Sequence, residues 1–255
     1  MSPLTAWLIA ATLTSLPAQV EEVPPTGAID GRVVVTLGDD ELSVRQLGAT
    51  IAYLEGIDQP ITFESPAAPA VIRQKDAKFL PNFLIVPVGQ RVEIPNEDKI
   101  FHNVFSYSKP NQFDLGLYEE GAVRSITFDH PGVVKIYCSI HESMNGMIVV
   151  TPNPHFSRVH PDGSFRLDGV PPGKYHLTVW SERAPKLQSV IEVAPRERTA
   201  TSIRLRLDSR EETKIRQSSA GAGGSPRPAT TPGAEKSVLL PTQSKTLDCC
   251  EEDVP

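Results

Sequence analysis

Short runs rich in Val, Ile, Phe and Tyr, each stopped by Gly, Pro, Asn or Asp, recur between residues 31 and 180. GRVVV (31–35), ATIAYLEG (49–56), FLIVPVG (83–89), RVEIPN (91–96), RSITFD (124–129), VVKIYC (133–138) and GMIVVTP (146–152) are too brief for helices. They are rich in residues that pack well on a pleated surface. SFRLDGVPPGKYHLTVW (164–180) reads as two alternating strands around a Pro-Pro-Gly turn. The 24 prolines suit a chain with many turns. One brief helical candidate stands out, VRQLG after Leu42. Strands this short and this closely spaced predict an all-β chain built from sandwiches.

The ends of the chain read differently. Ala6 to Leu16 (AWLIAATLTSL) is an apolar run too short to span a bilayer. Pro17-Ala18 and the polar Gln19 follow it, as in a secretory signal peptide cleaved after Ala18. No Lys or Arg precedes the run, and Leu16 stands where a small residue is usual. The expectation is a signal peptide over 1–18, a periplasmic or secreted protein, and no membrane span once the signal is removed. From Asp208 the composition turns to Gly, Pro, Ser and Ala without periodic apolar residues, so 208–255 is expected to be a disordered tail. The formal charge is −6 and no Lys/Arg block exists for a phosphate backbone, so no nucleic-acid partner is expected.

Three cysteines are present: Cys138, Cys249 and Cys250. Neighbouring cysteines rarely bridge each other, so Cys138 has no evident disulfide partner, and a lone thiol in an exported chain points to chemistry. Cys249-Cys250 lacks the Cys-x-x-Cys spacing of a metal site and reads as exposed thiols on the tail. Cys138 opens YCSIHESMNG: His141 follows three residues later and Met144 three further on. The loop between the strands VVKIYC and GMIVV is where a rigid sandwich can hold a site. A thiolate, an imidazole and a weak thioether select a soft transition metal, and two His with one Cys and a long axial Met is the blue-copper set. The second histidine is available in IPNEDKIFHNVFSY, which carries His102 and Asn103 just after a strand. The spacings of His130, His155, His160 and His176 form no such pattern, and these residues read as structural or solvated.

The segment 78–152 resembles the cupredoxins, the small blue-copper electron carriers. Cys-x2-His-x2-Met followed by x-Gly and a Val-rich strand is most similar to the amicyanin form of the loop. Asn96, His102 and Asn103 match the family's Asn-x5-His-Asn-Val, and His130-Pro131-Gly132 to Tyr137-Cys138 matches its approach to the cysteine. Phe101 departs from the family, many members of which carry Pro before the first His. The resemblance implies a Greek-key sandwich holding one type 1 copper ion through His102, Cys138 and His141, with Met144 axial. It also implies that Asn103 ties the ligand loops together, and that the electron leaves through the edge of His141. Met147 lies close enough that the axial ligand is not settled by the loop alone.

The flanks carry a second resemblance. HPDGSFRLDGVPPGKYHLTVW (160–180) is similar to the second half of the carboxypeptidase-regulatory, transthyretin-like sandwich, and GRVVV with ATIAYLEG to its first half. The expectation is a split sandwich, 28–57 with 158–207, into which the cupredoxin segment is inserted or against which it packs. The alternative is one enlarged cupredoxin. This layout resembles proteins labelled methylamine-utilisation-like. The function implied is single-electron transfer with a redox partner protein. The competing readings are a copper carrier or chaperone, or a partner-binding module without electron transfer. An enzyme is not expected, because no His-x-His pair is present to build further copper sites.

Overall fold

The computed structural model describes residues 25–56, 61, 63–208, 210–213, 215 and 217. The segment read as a signal peptide and Cys249-Cys250 lie outside the described residues. Among the described residues no helix is long and apolar enough to cross a membrane.

The chain is all-β. It opens with β1 (Gly27–Leu37), β2 (Asp40–Leu42) and β3 (Thr50–Gly56). Ten strands follow: β4 (Ala70–Val71), β5 (Arg73–Lys75), β6 (Lys78–Leu80), β7 (Phe83–Pro87), β8 (Arg91–Pro95), β9 (His102–Ser106), β10 (Phe113–Tyr118), β11 (Val123–Thr127), β12 (Gly132–Tyr137) and β13 (Asn145–Thr151). β14 (Phe156–Arg158), β15 (Ser164–Val170), β16 (Gly173–Ser181), β17 (Leu187–Val193) and β18 (Arg198–Leu207) complete it. VRQLG forms a single 3₁₀ turn, Val44–Leu47, between β2 and β3. Ser43 caps it by accepting from the Arg45 N–H, and Gly48 closes it at φ +74°.

Two sandwiches result, one nested in the chain between the two parts of the other. In the outer sandwich, β1 lies between β15 and a parallel β18, with β2 paired to its C-terminal half. The facing sheet runs β14-β3-β16-β17. Ile29, Val33 and Val35 of β1 alternate inward onto Leu54, Phe165 and Leu177, the period-2 pattern of a half-buried strand. Gly31 interrupts that inward row for a packing reason. A Cβ there would lie 2.0 Å from Cζ of Phe165, whose ring occupies the space. GRVVV therefore pairs with 164–170 and 198–207, and no strand of the inner unit pairs with it.

The inner sandwich packs a five-stranded sheet, β10-β9-β12-β13-β7, against the three-stranded β11-β8-β4. Val86, Ile94, Val104, Phe128, Ile136 and Ile148 fill its core. A small hairpin, β5-β6, stands beside it and is bridged to it through Gln74 and Asn96. The two sandwiches meet through Ile51, Phe83 and Val149. Arg158 reinforces the contact: its guanidinium lies 4.4 Å from the Phe83 ring centre and donates to the Phe83 carbonyl at 2.6 Å. Asn153 donates to the Leu54 carbonyl at 2.7 Å.

The segment expected to be a disordered tail is described only in part. Residues 210–213 are helical, and Ile215, 3% exposed, joins the outer core. Burying one isoleucine contributes about 1.5–3 kcal/mol towards holding that segment. Residues 218–255 lie outside the described residues.

Candidate metal centre

Two neighbouring segments of the five-stranded sheet bring the site together. His102 is the first residue of β9, and Cys138 follows directly on β12. β9 and β12 are antiparallel neighbours registered at Tyr137 and Phe105, so both side chains arrive at the same end of the sheet. His141 comes from the turn after Cys138. That turn is closed twice: the Met144 N–H donates to the His141 carbonyl at 2.9 Å, and the Cys138 N–H donates to the Met144 carbonyl at 3.1 Å.

Cys138 Sγ stands 3.7 Å from His102 Nδ1 and 3.9 Å from His141 Nδ1. The three ligand atoms all lie within 4.8 Å of one another. The two imidazoles are tilted by 55° with their centres 4.8 Å apart. His102 is fully buried and Cys138 is 5% exposed, whereas His141 is partly open. Metal–N and metal–S bonds of ~2.0–2.3 Å place ligands around a central ion ~3.5–4 Å apart. The two Cys138–His distances fit that requirement. His102, Cys138 and His141 are also the only described group of three or more His, Cys, Asp or Glu side chains with such geometry.

The two methionines near the loop pack differently. Met144 is 1% exposed and belongs to the inner core together with Cys138. Met147 lies on β13 and packs with Ile51, Phe83 and Val149 between the two sandwiches. Asn103 joins the two ligand segments, its Oδ1 accepting from the Ser139 N–H at 2.7 Å and the Ser139 hydroxyl at 2.9 Å. Asn96 steadies the loop that leads to His102, donating to the carbonyls of Ile100 and Tyr118 at 2.9 and 3.0 Å. Hydrogen-bonded partners of this kind hold ligands in position before any metal binds.

One contact was not read from the sequence. Asp98 Oδ2 lies 2.9 Å from His102 Nε2. The same carboxylate accepts the backbone N–H groups of Asp76 and Ala77 at 2.8 and 2.9 Å. Burial works to raise the Asp98 carboxyl, but the Ala77 N–H, His102 and the Asp76 N–H together hold it below the ordinary aspartate range. The i, i+4 spacing from Asp98 to His102 is visible in the sequence, but the turn that binds the carboxylate lies some twenty residues upstream.

Ile100, Phe101 and Ile140, which lie within two residues of His102 or His141 along the chain, are each about half exposed. The remaining histidines lie outside the cluster. Burial pushes the His155 imidazole below its usual value, against a hydrogen bond with the Asp168 backbone.

No protein-family model and no curated protein matches the chain. Among solved structures, the chain is similar to a purple cupredoxin from Nitrosopumilus maritimus, with 28% identity over 32% of this chain and 99% of that one, at a TM-score of 0.30. It is also similar to a single-residue variant of amicyanin in its Cu(I) form, with 23% identity over 34% of this chain and 86% of that one, at a TM-score of 0.32. A reduced amicyanin variant gives 24% identity over 39% of this chain and 97% of that one, at a TM-score of 0.31.

Proposed function

We propose that the chain is an exported carrier of single electrons that holds one type 1 copper ion through His102, Cys138 and His141, with Met144 as the axial ligand. The observation that carries this reading is the cluster itself: two imidazole nitrogens and one thiol sulfur within 4.8 Å, in a largely buried pocket. One thiolate and two imidazoles with a nearby thioether suit copper better than the harder divalent cations, which favour oxygen ligands. Copper held there supplies a one-electron couple.

The protein's part is to hold the ligands still. Cys138 offers its sulfur as thiolate, the form that binds metal. His102 and His141 offer neutral imidazole nitrogens. Two loop-closing backbone bonds and the Asn103–Ser139 pair resist movement of these atoms, which favours a site that changes little when an electron arrives or leaves. The partly open His141, with exposed Ile140 next to it along the chain and exposed Phe101 next to His102, is the natural face for a redox partner protein. The apolar run Ala6–Leu16 supports export to the periplasm or beyond. Burial of His102 and Cys138 favours retention of the metal over ready exchange, and so favours the carrier over a copper chaperone.

Titration of the metal-free full chain with Cu(II), followed by absorption and then voltammetry, tests the reading. An intense visible band at one equivalent and a reversible couple are expected. A colourless complex, or a reduced form that gives up its copper at once to a mild Cu(I) chelator, overturns the carrier. The axial assignment has its own test: Met144→Leu should keep the coloured site and move its potential, because the axial ligand only tunes it. Met147→Leu should leave the potential in place. The reverse pattern would make Met147 the ligand.

A further inference from the structure

The turn joining β5 to β6 is built in an unusual way. Lys75 pairs with Lys78, so the turn has two central residues, Asp76 and Ala77. Both are left-handed, at φ +53° and +51°. Two-residue hairpins favour that geometry but normally supply it with Asn, Asp or Gly. Ala77 has neither a missing Cβ nor a polar side chain to ease the conformation. Strain of this kind persists where its surroundings demand it, and it points to a use.

What the turn does is visible in its contacts. Its two consecutive N–H groups converge on one carboxylate, Asp76 N–H to Asp98 Oδ1 and Ala77 N–H to Asp98 Oδ2. Successive backbone N–H groups of a turn form a concave anion seat. The backbone around Asp98 is fastened to the same hairpin and its neighbours: the Glu97 N–H donates to the Gln74 carbonyl at 2.9 Å, and the Asp98 N–H to Asn96 Oδ1 at 3.0 Å. Asp98 Oδ2, which accepts from the Ala77 N–H, also faces Nε2 of His102, whose ring has no exposed surface.

We propose that the β5–β6 turn is a positioning element of the metal centre: the Asp76 and Ala77 N–H groups seat Asp98, and Asp98 holds His102 with its proton on Nε2 and Nδ1 free to bind. The choice of tautomer matters because Nδ1 is the atom that faces Cys138 Sγ at 3.7 Å. A histidine with the proton on Nδ1 cannot ligate through that atom, and the partner of the other nitrogen sets which form is present. Asp98 is thus a positioning residue, and the inference rests on the copper reading only where metal affinity is concerned.

The test uses the full chain in two states. In the metal-free protein at mildly alkaline pH, long-range proton–nitrogen NMR reports the His102 tautomer directly. The wild type should hold the proton on Nε2, whereas Asp98→Ala should show a mixture. In the copper-loaded protein, Asp98→Ala should lower Cu(II) affinity, measured against a competing chelator, by about 10- to 100-fold, the usual effect of losing such a partner. Ala77→Val, which disfavours the left-handed turn, should move both readouts in the same direction by less. Circular dichroism checks that each variant folds, and Asp98→Asn replaces Asp98→Ala if the latter does not. A wild-type tautomer and an affinity within twofold in the Asp98 variant overturn the proposal. An altered Asp98 variant with an unaltered, folded Ala77→Val overturns the role of the turn. A wild type that takes up no Cu(II) defeats the copper reading, and the tautomer then decides the positioning role by itself.

Discussion

Cys138→Ser should abolish the visible absorption of the copper-loaded protein and weaken Cu(II) binding by more than about 100-fold. That bound lies beyond the range for losing a hydrogen-bonded partner of a ligand, because here a ligand itself is lost. The sulfur stands 3.7 and 3.9 Å from the two imidazole nitrogens and is the one soft anion the cluster provides. A serine hydroxyl does not ionise near neutral pH, so the cluster would offer the metal no anionic ligand. The thiolate is also the source of the charge transfer that gives such sites their colour. Absorbance during Cu(II) titration reads the first effect, and competition with a Cu(II) chelator reads the second. A band of undiminished intensity in the serine variant would mean that Cys138 is not a ligand.

The next largest effect is expected far from the metal. Phe165→Ala should destabilise the chain by about 3–5 kcal/mol, the usual cost of truncating a core phenylalanine. Phe165 is 3% exposed, and its ring lies over Gly31 at the middle of the central strand β1. Gly31→Ala should also be destabilising, since its Cβ would stand 2.0 Å from the ring. The two changes should not add. In the space left by Phe165→Ala the new methyl fits, so the double variant should lose clearly less stability than the two single losses combined. Urea unfolding followed by circular dichroism and tryptophan fluorescence measures all three. Strict additivity would show that Gly31 and Phe165 do not share that space.

The β class and the His102–Cys138–His141 group were legible in the sequence for different reasons. Each β run shows its own period and its own stop signals, so local chemistry declares it. The three ligand residues are few, chemically distinct, and placed at strand ends by short spacings. Several strands absent from that reading depend on their neighbours for their identity. Arg73–Lys75 and Lys78–Leu80 form a hairpin with one buried residue on each strand, too little for a pattern. FDLGLY (113–118) contains a glycine and mixed exposure, and β9 supplies its partner. The parallel pairing of β1 with β18 joins residues some 170 apart and has no local signature. Asp98 escaped notice for the same reason. Its seat is made of backbone N–H groups, whose direction is set by φ, and Ala77 gives no hint of a left-handed turn.

The nesting of one sandwich inside the other also has a bearing on the order of events during folding. β3 ends at Gly56, and β14, which pairs with it, begins at Phe156. Bringing those strands together across a slack loop of roughly 100 residues would cost about 4 kcal/mol of chain entropy. Once the inner sandwich has formed, the loop is no longer slack, because β13 and β7 are already paired and the chain leaves β13 close to its join with β14. The outer sheets then close across the roughly 17 residues that remain slack at about 2.5 kcal/mol, a lower entropic cost than across the unfolded loop. During synthesis β1–β3 emerge first but must wait, since β15, β16 and β18 are made last. The inner sandwich is therefore expected to serve as the folding template of the outer one, and a substitution that slows its folding should delay closure of a core it does not touch.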